Sequence, residues 1–485
     1  MLGDIDVVES QPFKTGVPLV VDLDGTLIAS DLLWESLFAL LSKNIFYIFV
    51  LPFWLIKGKA FLKTAIAERV TLEAASLPYR QDFLNFLLDQ HQAGHKLVLA
   101  TASAQKFALA VAEHLGIFDK VFATDIHNNV SSHRKAALLV KHYGDKGFDY
   151  AGNSRDDLAV FAVSNQVIIV APDRAAARYQ KKHQARLFPA PTVSVMTFLK
   201  MLRVHQWLKN ILIFVPVILA HELLNGPFFI ASIAAFLAFS AAASAIYIIN
   251  DLLDLPSDRK HLKKRNRPLA SGAISIPCGL ITSTILLFIA AITCFSLPLE
   301  FAAVLGIYVL TTFAYSLFIK RKMLVDVICL AGLYSLRLLG GMAATGIEQS
   351  FWLMTFSMFF FMSLALVKRY VELANSTLMV KDKLAGRGYR PEDRDIVGQS
   401  GVASAFTAAL VLALYMNNDS ILINYQHPWI LWPLGPIVLY LNVRIWILAH
   451  RGEMDEDPVV FLATDWRSQL VISIGVICFL IAGMP

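Results

Sequence analysis

The chain has 485 residues, room for two or three domains, with 56% hydrophobic and 16% charged residues and a mean hydropathy of +0.57. That balance excludes an ordinary soluble enzyme. The net charge of +6 is too mild to call for a nucleic-acid partner, and its placement matters more than its size.

The apolar excess is uneven. Roughly the first 195 residues have soluble composition, and from Gln206 onward apolar runs dominate. The break falls in "ARLFPAPTVSVM" (185–196), which suits a linker. The expected organisation is a tail at 1–16, an α/β domain at 17–185 (in which a resemblance given below implies a helical cap at about 32–80), a linker at 186–198, and an all-α membrane domain at 199–485. The opening "MLGDIDVVESQPFK" is acidic and lacks the apolar core of a secretory signal. Cys278, Cys294, Cys329 and Cys478 lie in or beside apolar runs and read as small core residues, not as a disulfide framework or zinc site.

In chain order, "PLVVDLDGTLIASD" (18–31) is an apolar strand running into Asp-x-Asp-Gly-Thr. The cap segment "NIFYIFVLPFWLI" (44–56) is thirteen residues long, too short to span a membrane; it fits cap core or a stretch lying on the membrane. "KLVLATAS" (96–103) is a second buried strand, Lys135 opens a helical stretch, and "FDYAGNSRDDLAVF" (148–161) is a strand leading into an Asn/Asp-rich loop. Alternating strands and helices predict an open sheet with its chemistry at the strands' carboxyl ends. These four elements, in this order, resemble the haloacid-dehalogenase superfamily of phosphatases, which implies a Rossmann-like fold. The resemblance implies Asp22 as nucleophile, Asp24 as general acid and base, and Thr101 and Lys135 as holders of the phosphoryl oxygens. It also implies Mg²⁺ bridging Asp22, the Asp24 carbonyl and the last loop. There Asn153 stands where an Asp is usual, which leaves Asp157, or else Asp156, as the charged ligand. An active phosphatase and a decayed regulatory domain both remain open.

Nine apolar stretches are long enough, or nearly so, to span a membrane: 206–223, 228–249, 277–298, 300–319, 324–345, 351–367, 402–416, 428–449 and 469–484. The loops after the even stretches are rich in Lys and Arg, and those after the odd ones contain none. The positive-inside rule then predicts a multi-pass protein of the cell membrane (inner or plasma membrane) with its N-terminal region in the cytoplasm and its C-terminus outside.

The second stretch ends in "YIINDLLDLPSDRKHLKKRNRP" (247–268). Helical spacing puts Asn250 and Asp254 on one stripe with Asp251 beside them, and Asp258 follows Pro256. Clustered carboxylates repel unless a cation sits among them, and oxygen ligands beside phosphates favour Mg²⁺. Arg259, Lys260, Lys263, Lys264, Arg265 and Arg267 supply donors for the same phosphates. A solvated helix end with surface ion pairs is the plainer alternative. "NDLLDLPSDRKH" resembles the NDxxDxxxD signature of the UbiA superfamily of intramembrane prenyltransferases, which implies an all-helical polytopic fold and transfer with release of diphosphate.

Aromatic prenyltransferases of that superfamily carry a second DxxxD, whereas here the matching region is basic, with Asp382, Asp393 and Asp395 scattered. Together with "LVDVICLAGLYSLRLLGGMAA" (324–344) and "EDPVVFLATDWRS" (456–468), this looks more like the polyprenyl-phosphate phosphoribosyltransferase branch. The partners implied are a polyprenyl lipid substrate, a diphosphate donor and membrane lipid. Arg337 within the fifth stretch fits a lipid phosphate or a pair with Asp326, and Lys368 and Arg369 end the sixth, where snorkelling is an alternative to substrate binding. An aromatic (4-hydroxybenzoate-type) polyprenyltransferase and a membrane transporter are the rival readings.

Overall fold

The computed structural model describes residues 16–125, 130–376, 388–417, 425, 427–454 and 457–483. The tail before residue 16 and Asp382 lie outside them. The chain forms two compact units. One contains the chain up to Leu202 together with Ile248–Ile281, and the other contains Arg203–Tyr247 and Thr282 onward. The first unit therefore takes in a segment from the middle of the helical sequence.

The first unit is built on six parallel strands in the order β3-β2-β1-β4-β5-β6: β1 Leu19–Val21, β2 Leu97–Ala104, β3 Lys120–Thr124, β4 Asp149–Gly152, β5 Val167–Val170 and β6 Arg186–Phe188. Helices cover both faces, so the central strands are apolar on both sides and Val20, Val21, Leu99 and Ile169 are fully buried. Two apolar clusters result, one around Leu19, Leu27, Phe83 and Leu97, the other around Val20, Phe148, Tyr150 and Phe161. Strand order reverses at β1, between β2 and β4. Beyond the carboxyl ends of strands at such a switch point lies the crevice where ligands bind in doubly wound sheets.

A helical insertion joins β1 to β2, starting with Leu32–Lys43, which Asp31 caps by accepting from Leu33 N at 2.8 Å. In its segment 44–56, Tyr47, Leu51 and Trp54 pack on Leu40, Ile66 and Val70. Phe46, Phe49, Phe53 and Ile56 instead face outward and are exposed, so only one face of this segment serves as cap core.

In the helical part, seven helices among the described residues are long and apolar enough to cross a membrane, or up to nine if each of two bent helix pairs counts as one span. The chain is thus a multi-pass membrane protein. Small residues let the helices approach closely: Ala235, Ala238, Ala242 and Ala245 are buried along Gly226–Leu253. Two spans differ from expectation. The sixth runs from Phe351 to Ser376 and the seventh from Arg394 to Met416, both beyond the charges expected to end them. The first is largely a 3-10 helix, Val204–Phe214, continued by Val215–Leu219.

Candidate active sites

Asp22 follows β1 directly, and its amide donates to Ala151 O on β4 at 2.9 Å, which fixes the carboxylate at the strand ends. Lys135, on the helix Ser132–Tyr143, donates to Asp22 Oδ1 at 2.8 Å and lies 3.4 Å from Asp157 Oδ1. Thr26 Oγ1 donates to the other Asp22 oxygen at 3.2 Å. Burial raises the pKa of Asp22 to about 6 against the pull of Lys135. Burial works against the charge on Lys135, yet Asp22 and Asp157 together push its pKa above that of a free lysine.

Asp24 faces the same cavity. It accepts from Leu32 N at 2.8 Å and Ser103 Oγ at 2.5 Å. Burial, then the charges of Asp31 and Asp22, raise its pKa to about 7, which suits a group that gives up and takes back a proton near neutral pH. Thr101 lies on β2, as the strand pattern predicts. It is fully buried, and its hydroxyl donates to Asp24 Oδ2 at 3.4 Å while accepting from Ser103 N at 3.0 Å, so it serves the proposed acid and not the cavity.

Asp157, expected as a metal ligand, borders the cavity but is heavily bonded within the protein. One oxygen accepts from Tyr150 OH at 2.7 Å and faces Lys135; the other accepts from Asn153 N, Ser154 N and Ser154 Oγ at 3.0–3.1 Å. Burial alone would raise its pKa, but Lys135 and these donors hold it below the ordinary value. Asp157 anchors Lys135. Beside it at the cavity are Asn153, half-buried, and the exposed Asp156. Gly25 (φ +77°) makes room for Asn153, because a Cβ there would lie 2.2 Å from its Nδ2.

The acidic helix end belongs to the same unit. Asp251 and Asp258 are buried, and Arg267 Nη1 donates to Asp251 Oδ1 at 3.1 Å and Asp258 Oδ2 at 2.5 Å. Burial raises the pKa of Asp258 in spite of Arg267. Asn250 Oδ1 is buried with no hydrogen-bond partner, an acceptor left open for a cation or ligand. Among the described residues no three acidic, histidine or cysteine side chains converge closely enough to hold a metal unaided. An ion at either site would also need amide, carbonyl or substrate oxygens, which is how Mg²⁺ is commonly held. On those terms Asn250, Asp251 and Asp254 fit it, as do Asp22, the Asp24 carbonyl and Asn153.

Of the cations expected to bind substrate phosphates, Lys263 and Arg265 are exposed, while Lys260 pairs with Glu73. Arg259 is spent elsewhere: its guanidinium makes a two-pronged bond to Glu35 and a third bond to Ala270 O. In the second unit Arg337 is buried and donates to Asn210 Oδ1 at 2.8 Å, Leu333 O at 2.6 Å and Tyr308 OH at 3.2 Å. These partners are neutral, and Asp326 is not among them. Asp326 accepts instead from Arg369 Nε at 2.6 Å, while Arg369 also bonds Glu372 and Tyr315 OH, which removes Arg369 from the substrate set. Lys368 beside it is half-buried. Sequence reasoning missed Lys209, which is buried, bonds Asp457 and lies 5.8 Å from the centre of the Tyr334 ring. The signal was present: a lysine inside an apolar run deserves the same suspicion as Arg337.

A parallel sheet with an Asp-Lys-Asp ion group at its switch point, followed by a polytopic bundle with an acidic helix end, defines a membrane enzyme joined to a hydrolase-type domain. Residues 211–466 match the UbiA prenyltransferase family, and residues 19–162 match the haloacid dehalogenase-like hydrolases. The chain belongs to the UbiA prenyltransferase family and carries a haloacid dehalogenase-like domain ahead of it. It is similar along both halves to the uncharacterized protein y4nM of Sinorhizobium fredii, at 35% identity over 99% of this chain and 94% of that one. The nodulation protein NoeC of Azorhizobium caulinodans is 32% identical over 58% of this chain and 92% of its own length. The decaprenyl-phosphate phosphoribosyltransferase of Corynebacterium glutamicum is 32% identical over 36% of this chain and 54% of its own. The solved structure of a UbiA homologue from Archaeoglobus fulgidus bound to GPP and Mg²⁺ covers 59% of this chain and 99% of that one, at 16% identity and a TM-score of 0.46.

Two outcomes follow from the buried pairs. Lys135→Met leaves two buried carboxylates without their shared cation and should cost about 3–5 kcal/mol, read as a lower melting temperature of the first unit. Arg369→Leu should destabilise the second unit by about the same amount, and Arg369→Leu with Asp326→Asn by clearly less, in melts of the detergent-purified protein.

Proposed function

We propose that the chain is a bifunctional membrane enzyme. Its UbiA half transfers a phosphoribosyl group from phosphoribosyl diphosphate to a polyprenyl phosphate, and its phosphatase half removes the 5′-phosphate of that product. The observation that carries the choice of donor is the state of the acids at the end of the sixth span and after it. Glu372 is bonded by Arg369, Asp393 accepts from Arg390 N at 2.8 Å, and Asp395 lies 3.6 Å from Arg394. Among the described residues they form no second carboxylate pair of the kind an aromatic prenyltransferase would use. The likeness to a decaprenyl-phosphate phosphoribosyltransferase supports the same reading. The loop charges favour a cytoplasmic position for the N-terminal half.

In the transfer, an oxygen of the lipid phosphate attacks C1 of the ribose, the C1–oxygen bond breaks, and diphosphate leaves with the bonding pair. Mg²⁺, when bound by Asn250, Asp251 and Asp254, would offset the charge of the departing diphosphate. Exposed Lys263 and Arg265 provide donors to phosphate oxygens. Buried Arg337, bonded only to neutral groups, suits an anionic headgroup. In the phosphatase half, Asp22 attacks phosphorus, the ester P–O bond breaks, and Asp24 passes its proton to the leaving oxygen. Water then attacks the aspartyl phosphate, gives a proton back to Asp24 and releases inorganic phosphate. Lys135 holds the Asp22 carboxylate in place from a side already fixed by Asp157. Tethering the second step to the first raises the effective concentration of the shared lipid.

With labelled phosphoribosyl diphosphate and polyprenyl phosphate, wild-type membranes should yield a labelled lipid. Asp251→Ala, Asp254→Ala or a chelator should reduce it at least a hundredfold with membrane insertion unchanged. Labelled prenyl groups on 4-hydroxybenzoate, with the lipid phosphate unmodified, would instead establish the aromatic prenyltransferase.

Asp22→Asn should leave transfer intact and make the 5′-phosphorylated lipid accumulate, as read by mass spectrometry of extracts from membranes lacking other lipid phosphatases. An unchanged ratio of phosphorylated to dephosphorylated lipid would separate the two halves functionally.

A further inference from the structure

The segment after the acidic helix end packs into the phosphatase half. Arg259 Nη1 and Nη2 donate to the two oxygens of Glu35 at 2.8 and 2.6 Å, with side chains only 6% and 2% exposed. Glu35 lies on the helix that starts where the Asp24 loop ends, and Ser30 Oγ of that loop bonds it too. The third arm of Arg259, Nε, donates to Ala270 O at 2.8 Å, so one guanidinium fastens the 268–277 stretch to the phosphatase. Gly272 (φ +73°) then lies so close to the loop that a Cβ on it would fall 2.7 Å from Ala29 O.

Beyond this contact is a cavity of about 590 Å³. Asp22, Asp24 and Lys135 line one side, and Ala273, Ile276 and Pro277 line another. Ile276 and Pro277 are also the first residues of Ile276–Cys294, a helix long and apolar enough to cross a membrane. The cavity holding the nucleophile thus has the first turn of a membrane helix as part of its wall.

We propose that residues 268–277, held by the Glu35–Arg259 pair, form the substrate-selecting wall of the phosphatase site, and that this wall favours phosphate monoesters whose alcohol is anchored in the membrane. Arg259 and Glu35 are positioning residues. The proposal rests on Asp22 as the nucleophile and is independent of the sugar or the donor used by the transferase half. A soluble ester meets this wall as an obstruction. An ester anchored in the bilayer arrives along it, with its chain beside the apolar first turn of the helix and its phosphate towards Asp22.

The test uses the full chain in lipid nanodiscs with two probes, soluble p-nitrophenyl phosphate and bilayer-anchored dodecyl phosphate. Wild type should prefer dodecyl phosphate at least tenfold in kcat/KM. Glu35→Gln should remove that preference, mainly through a higher KM for the anchored ester, with p-nitrophenyl phosphate hydrolysis within threefold of wild type. The charge exchange Glu35→Arg with Arg259→Glu should restore part of the preference, which general destabilisation would not permit. Ala273→Trp narrows the cavity without touching the ion pair and covers the case in which Glu35→Gln fails to fold; it should lower kcat/KM for dodecyl phosphate at least tenfold more than for p-nitrophenyl phosphate. Folded variants that keep the wild-type preference, or that change both substrates equally, would overturn the wall. A wild type inactive on both probes would overturn the phosphatase reading itself, whereas activity on dodecyl phosphate without action on a phosphoribosyl lipid would overturn only the proposed sugar.

Discussion

A charge taken out of water must be met by an opposite charge or by several hydrogen bonds, and that constraint organises both units. In the α/β unit a single lysine, Lys135, answers two buried carboxylates, one of them the proposed nucleophile. The strand ends, the loop after β4 and the helix carrying Lys135 are all fixed by this group, because Tyr150 and the amides of Asn153 and Ser154 complete the shell of Asp157. In the helical unit Arg369 with Asp326 and Lys209 with Asp457 obey the same rule. Arg337 meets it by the second route, through three hydrogen bonds to neutral acceptors. Among the described residues no carboxylate bonds Arg337, which is the ground on which it is proposed to meet an anionic ligand.

The same constraint explains what could be read from sequence. Asp22, Asp24 and Lys135 were legible because a strand run followed by Asp-x-Asp-Gly-Thr, and a lysine opening a later helix, are local patterns whose spatial meaning follows from an open parallel sheet. Ser103 and Tyr150 were not, since what makes them matter is the closing of loops onto Asp24 and Asp157. Thr101 lies on β2 and Asp157 in the turn after β4, but their hydrogen-bonding capacity is taken up within the protein. A sequence gives a side chain's type and address; it does not give how many of its bonds are already made.

The basic residues show this most clearly. Arg259 stands in a run of six cations and reads as one more phosphate donor until Glu35, 224 positions away, is found against it. Arg369 reads as the charged end of a membrane span, yet Asp326, 43 positions away, neutralises it and the helix continues to Ser376. Hydropathy stops a span at a charge, whereas a helix stops only where its backbone does. Pairs so distant in sequence leave no local periodicity to detect.

The compact unit that holds the haloacid dehalogenase-like domain is discontinuous, with Arg203–Tyr247 interposed between its two parts. A chain made from its N-terminus has all six strands of the sheet before it has Arg259, so the Glu35 carboxylate waits for its partner until the first spans have been synthesised. Assembly of the hydrolase half is thereby tied to progress of the chain into the bilayer. A hydrolase-like domain cut off at Leu202 would lack Arg259, the partner of Glu35, and one wall of its cavity, so this unit is complete only once the chain has passed Ile281.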